Sequence, residues 1–148
     1  MLMTPENEAR LRAVFEKHVP FNRVIGLTIA STDPARPQLR FDMKPELIGN
    51  PAREILHGGV ISAALDVAAG YAIFLALLAQ NPALKEETFP NMGTIDLRVD
   101  YLRPGRGKYF VASGRVLRLG NRIAVAHTEL VNDADELIAT GSAAYVVG

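Results

Sequence analysis

Apolar and polar positions alternate over much of the second half of the chain. Ile95, Leu97, Val99 and Tyr101 are interleaved with Asp96, Arg98 and Asp100, the period of two that a half-buried strand requires. Three further runs, 108–119, 122–131 and 137–147, also have strand character. They are separated by Arg103-Pro104-Gly105, by Leu119-Gly120-Asn121 and by Asn132-Asp133; the last two breaks predict short hairpin turns. Upstream, Leu39, Phe41 and Met43 alternate with Arg40, Asp42 and Lys44, which predicts a strand over 38–44. Val24 to Ala30 reads as another short strand, and the prolines and aspartate of Ser31 to Pro37 place a turn between the two.

Between the halves the period changes. From Gly58 to Ala79 the chain is apolar on every side and is interrupted by one charge, Asp66. This predicts a long buried helix, stopped by Asn81-Pro82. Thr4-Pro5-Glu6-Asn7-Glu8 opens an earlier helix: Thr4 caps, Pro5 suits the first turn and acids follow. It is expected to run to about His18, with Pro20 ending it, while Pro45 to Leu56 reads as an irregular loop. Helix, two strands, long helix and four antiparallel strands predict an α+β fold, an antiparallel sheet wrapped around one long central helix with an additional N-terminal helix. A length of 148 residues suits one domain, 1–148, with one core.

Val60 to Ala79 is twenty residues with a single charge, long enough to span a bilayer. Asp66 would then sit about a third of the way in, at up to roughly 3 kcal/mol. The segment is rich in Ala and Gly, and the nearest cations, Arg53 and Lys85, form no flanking cluster. A buried core helix is therefore expected, and no membrane partner. Sixteen basic and sixteen acidic residues cancel, so no global field draws the chain to nucleic acid. The absence of cysteine excludes a disulfide scaffold, a thiol nucleophile and a cysteine-ligated zinc site. No basic stretch followed by an apolar core opens the chain, so no signal peptide is expected and a cytoplasmic location is.

Candidate chemistry concentrates between Asn50 and Asp66. Gly58 and Gly59 start the long helix, whose first amides lack internal partners and carry the positive end of the dipole. They either make a tight loop-to-helix turn or hold a developing oxyanion. Asp66 is the sole charge between His57 and Lys85, and a carboxylate in so apolar a helix is costly unless paired or used. Its helical neighbours Ser62, Ala63, Ala69 and Gly70 are small, leaving room for another chain or a substrate, and Ser62 is placed to hydrogen-bond it. His57 and Asp66 are nine residues apart, about 13.5 Å and two and a half turns, so they face opposite ways. If both serve one site, that site combines two subunits. No G-x-S-x-G, G-x-x-x-x-G-K or G-x-G-x-x-G pattern occurs. His18, His57 and His127 are too scattered in sequence to suggest a metal site.

His57-Gly58-Gly59 with Asp66 nine residues after His57, an upstream Asn50, and Thr94-Ile-Asp-Leu-Arg-Val-Asp-Tyr101-Leu-Arg-Pro104 together resemble the PaaI-like acyl-CoA thioesterases of the hotdog superfamily, from about Val24 onward. The resemblance implies a hotdog fold and hydrolysis of an acyl-CoA. Asp66 of one subunit would be nucleophile or general base, and the Gly58 amide of the other would polarise the thioester carbonyl. Asn50 would position the thioester or water, His57 would orient the loop, and Thr94 would help hold the water, with Gly59 beside the substrate. It implies no metal or organic cofactor, and a homodimer, helix against helix across a continuous sheet, often doubled to a tetramer. One departure stands: the family usually has five residues between the Asn and the His, and this chain has six. The CoA phosphates need cations; Arg103 and Arg106 flank one turn, Arg118 and Arg122 another, and arginine forks suit phosphate. Phe74, Leu75 and Tyr71 are candidates for lining an acyl pocket, alongside plain core packing. A non-catalytic acyl-CoA-binding module and a hotdog hydratase or dehydratase are the alternatives. Pure binding gains nothing from a buried carboxylate, and the acid/base His–acid set of a hydratase has no evident place here.

Overall fold

In the computed structural model, which describes residues 3–84 and 91–148, the chain begins with a capped helix. Thr4 accepts the Asn7 N–H at 3.2 Å, and Pro5 opens α1 (Pro5–Arg12). The single helix expected to reach His18 changes its winding instead: Ala13–His18 is a π-helical segment, closed by the Val19 N–H on the Val14 carbonyl. Pro20 does not end helical structure. It starts α2 (Pro20–Ile25), which stops at Gly26 in the left-handed region at φ 81°. The strand expected from Val24 therefore begins later, as β1 (Thr28–Ser31), and Val24 is helical and 59% exposed. Proline at a first helical position and glycine just past the last are the signals that outweighed two β-branched residues.

β2 (Gln38–Asp42) is the strand that the alternation predicts over 38–44, ending two residues earlier, and it pairs with β1. The loop expected at 45–56 is more ordered than foreseen. A 3-10 turn (Pro45–Leu47) leads into a small hairpin of β3 (Ile48–Asn50) and β4 (Ile55–Leu56). The long helix follows as α3 (Gly58–Gln80), capped at its far end by Asn81. β5 (Gly93–Tyr101), β6 (Tyr109–Leu119), β7 (Ile123–Asn132) and β8 (Leu137–Val146) complete an antiparallel sheet in the order β1-β2-β6-β7-β8-β5. The sheet curls around α3, the hotdog arrangement.

α3 is long and apolar enough to cross a membrane, but its apolar side chains are used inside this fold. Leu65, Tyr71, Ile73 and Phe74 are wholly buried, each such side chain contributing about 1.5–3 kcal/mol of transfer free energy. The helix comes close to β6 because position 114 is glycine; a Cβ there would stand 2.7 Å from the Ala68 carbonyl oxygen. Lys85, one of the two cations weighed above, lies outside the described residues. β1 and β5 are the edges of the sheet, and Ile95, Tyr101 and Leu102 on or beside β5 are exposed.

Candidate active site

Asp66 sits two turns into α3, half-buried, and its carboxylate faces β5 and β8. Thr94 donates its hydroxyl to Oδ1 at 2.8 Å, and the Tyr145 phenol lies 2.5 Å from the same oxygen and 2.6 Å from the Asp66 backbone carbonyl. Strand pairing makes this possible, because Thr94 and Tyr145 are direct partners in the β5–β8 ladder. Burial, and then the hydrogen bond with Asp66, push the Tyr145 phenol well above the ordinary tyrosine range. It is thus a proton donor throughout the physiological range. Among the described residues no cation pairs with Asp66, and the side chains bonded to its carboxylate are the hydroxyls of Thr94 and Tyr145. Ser62 does not take the role foreseen for it: its hydroxyl donates to the Gly59 carbonyl at 3.0 Å, one turn back along the helix.

The small residues around Asp66 are only partly open. Ala69 is wholly buried, packed with Ala124, Ala126, Ala143 and Tyr145, and a Cβ on Gly70 would stand 3.1 Å from the Tyr145 hydroxyl. This half of the face, expected to receive another chain or a substrate, is occupied by the protein's own β8. Ser62 and Ala63 are half-buried.

At the start of α3, His57 is the N-cap, and its Nδ1 accepts the Gly59 N–H at 2.7 Å. While that bond is made, the ring proton of a neutral imidazole belongs on Nε2. Gly59 thus has a partner for its amide, whereas the Gly58 N–H has no acceptor among the described residues. The Tyr101 hydroxyl donates to the Gly58 carbonyl at 3.0 Å, and the Tyr101 ring lies over the glycine. The β3–β4 hairpin folds against this end: a Cβ on Gly49 would strike His57, and the His57 N–H bonds the Leu47 carbonyl. Asn50 ends β3, where its backbone carbonyl accepts from Arg53 and Glu54 and closes the turn.

The candidate residues thus fall into two groups within one chain. Asp66 and Thr94 form one, with Tyr145, which the sequence reading missed. His57, Gly58, Gly59 and the Asn50 hairpin form the other. Along α3 the groups are about 12 Å apart, too far for both to grip one carbonyl. β5 runs between them, holding Asp66 through Thr94 at its first end and Gly58 through Tyr101 at its last. The arginines divide the same way. Arg103 and Arg106 donate to the Leu137 and Arg53 carbonyls, which sets them beside the Gly58 end. Arg118 and Arg122 flank the β6–β7 turn, at the Asp66 end, where Ala124 pairs with Tyr145.

An apolar groove of about 170 Å³ adjoins the Asp66 group. Its walls are Phe15 and Val19 from the N-terminal helical segment, Asn22 from α2, Val67 and Gly70 from α3, Met92, and the Tyr145 ring. Tyr71 and Phe74 do not reach it; they are core residues, with Phe15 packed edge-on against Tyr71 at 5.0 Å. Leu75 lines a separate hollow between α1 and the far end of α3, remote from Asp66. The walls contributed by Phe15 and Val19 had no sequence signal, because they depend on how the π-helical segment is laid over α3.

The Thioesterase superfamily family model matches residues 54–139. Several curated relatives carry the name medium/long-chain acyl-CoA thioesterase YigI. The Salmonella typhimurium protein is 45% identical over 99% of this chain and 98% of its own. The Escherichia coli K12 protein is 44% identical over the same shares. A crystal structure from Shewanella oneidensis, described as related to the thioesterase superfamily, superposes with a TM-score of 0.89 at 42% identity, covering 99% of this chain and all of that one.

Proposed function

This chain belongs to the thioesterase superfamily, and from that premise we propose that it hydrolyses acyl-CoA thioesters at a site shared between two copies of itself. In the reaction the oxygen of water ends on the acyl carbon, the C–S bond breaks, and the departing CoA sulfur takes a proton. Asp66 serves as nucleophile or as general base on that water. Thr94 holds the carboxylate and the water, and the partner's Gly58 N–H, at the positive end of a helix, stabilises the oxyanion. His57 keeps the Gly58–Gly59 turn in place through its bond to Gly59, and Asn50 helps seat the thioester or the water.

The observation that carries this reading is the way β5 links the two groups. β5 is an edge strand, and a two-fold antiparallel pairing with its copy reverses it end for end. The Thr94 end of each chain then meets the Tyr101 end of its partner, and each Asp66 meets the Gly58 amide it lacks in its own chain. Charge supports a register centred on Leu97: Asp96 then faces the partner's Arg98, whereas centring on Arg98 would set like charges opposite each other. The same pairing brings Arg118 and Arg122 of one chain and the other chain's Arg103 and Arg106 around one site, where they bind the CoA phosphates. The apolar groove beside Asp66 takes the acyl chain. Its mostly apolar lining suits a hydrocarbon chain, and the names of the relatives point to a medium or long one.

A thiol-release assay with acyl-CoAs of graded length tests this. Wild type is expected to release CoA, fastest with medium or long acyl groups, and Asp66→Asn to lower kcat by on the order of 10² or more without unfolding. Tight binding without thiol release would leave only the non-catalytic module.

A further inference from the structure

Two hydroxyls converge on one oxygen of Asp66. Thr94 and Tyr145 both address Oδ1, at 2.8 and 2.5 Å, and no donor among the described residues is bonded to Oδ2. We propose that Tyr145 is a positioning residue for the hydrolysis: with Thr94 it pins Oδ1 of Asp66 and so presents Oδ2 to the thioester or the attacking water. This rests on the function proposed above and deepens it.

A carboxylate on a helix can swing about its last torsion, which is soft; its two oxygens are equivalent, so what a pinned oxygen fixes is the plane of the group and the direction in which the free oxygen points. Tyr145 removes the freedom. Its hydroxyl lies within hydrogen-bonding distance of both Oδ1 and the main-chain carbonyl of the same residue, at 2.5 and 2.6 Å. The side chain is thereby referred to its own backbone, with a charge-assisted bond of the short, strong kind on the carboxylate side. The phenol itself cannot drift. It is 7% exposed, its ring is packed among Ala69, Ala126 and Ala143, and its hydroxyl stands where a Cβ on residue 70 would be 3.1 Å away. Glycine at position 70 is thus the space that lets the phenol reach Asp66. Because burial and Asp66 push its titration far above the ordinary range, the proton stays on the phenol while the carboxylate works. Misplacement of a reacting group by about 1 Å costs up to roughly 10²-fold in rate, and a carboxylate left to swivel loses part of that.

Tyr145→Phe keeps the ring and deletes the donor. It is expected to lower kcat for acyl-CoA hydrolysis by on the order of tenfold or more while KM stays within about twofold, the signature of an interaction made for the reacting geometry and not for binding. A ring that only packs predicts an unchanged kcat. Gly70→Ala is the second variant, for the case that Tyr145→Phe does not fold. Alanine is the better helix former, but its methyl would stand 3.1 Å from both the ring edge and the hydroxyl of Tyr145. The ring must give by a few tenths of an ångström, which draws the hydroxyl off Oδ1, and kcat should fall while circular dichroism shows the fold retained. Wild-type kcat in a folded Tyr145→Phe, or in Gly70→Ala if the first variant is lost, overturns the assignment. With wild type active and Asp66→Asn inactive, that result removes the role of Tyr145 alone. An inert wild type, or an active Asp66→Asn, removes the shared-site thioesterase reading and the role of Tyr145 with it.

Discussion

Replacing Gly58 by proline separates the amide from everything else at the start of α3. The Gly58 N–H has no acceptor among the described residues, so no internal bond is lost with it. The residue before it, His57, already has φ −62° and ψ 136°, the extended backbone that a following proline demands. Position 58 is the first helical residue, where proline is accepted, and a Cβ there meets the Tyr101 ring at an ordinary 3.4 Å. Through the unfolded chain the change is expected to be neutral or stabilising by about 0.4–1 kcal/mol. Its effect on catalysis is expected to be large, about 10²–10³ in kcat, the scale for deleting one oxyanion donor. Thermal unfolding and thiol release on the same preparation would read the two effects separately. The stronger test mixes chains. Asp66→Asn and Gly58→Pro are each nearly inactive, but a mixed dimer has one site with both native groups. Co-refolding equal amounts should recover roughly a quarter of wild-type activity, half the dimers being mixed with one of two sites intact, if sites act independently. Mixed dimers that form but stay inactive would refute the shared site, and would return Asp66 to work within its own chain.

Double substitution of Arg118 and Arg122, or of Arg103 and Arg106, to alanine should raise KM for acyl-CoA and spare kcat; steady-state kinetics with both pairs unchanged would place the phosphates elsewhere. Sedimentation should find the wild type as a dimer or tetramer, and Arg98→Asp should weaken self-association about tenfold, two like-charge contacts of up to about 1 kcal/mol each being created. Adding Asp96→Arg should restore association if β5 pairs about Leu97; failure to restore rejects that register. Gly114→Ala places a methyl 2.7 Å from the Ala68 carbonyl oxygen and 2.8 Å from the Ala72 Cβ. It should cost about 1–3 kcal/mol as overpacking, a fall of several degrees in melting temperature, and an unchanged melt would mean that α3 is not seated on β6 as described.

The pattern along the chain determined whatever depends on near neighbours. The period of two placed β2 and β5, strand character between turn signals placed β6–β8, each within a few residues, and the apolar run with its Asn81-Pro82 stop placed α3. Asp66 was conspicuous because one charge in an apolar helix is costly wherever that helix lies. Local signals were sufficient, but misweighed, at Pro20 and Gly26, where a proline start and a left-handed glycine stop made a helix of residues first read partly as strand. What the tertiary structure decided is which distant residues meet. Thr94 and Tyr145 reach one oxygen of Asp66 only because β5 and β8 pair in a register that sets them opposite each other. Nothing within reach of Tyr145 along the chain hints at a carboxylate, since on β8 it reads as one more inward-facing residue after Gly141 and Ala143. Gly70 looked like open space for a partner until β8 filled it. The Phe15 and Val19 wall of the groove likewise depends on a π-helical turn laid over α3. Periodicity and capping act over a few residues of chain, whereas strand register and helix seating are set by packing across the whole core.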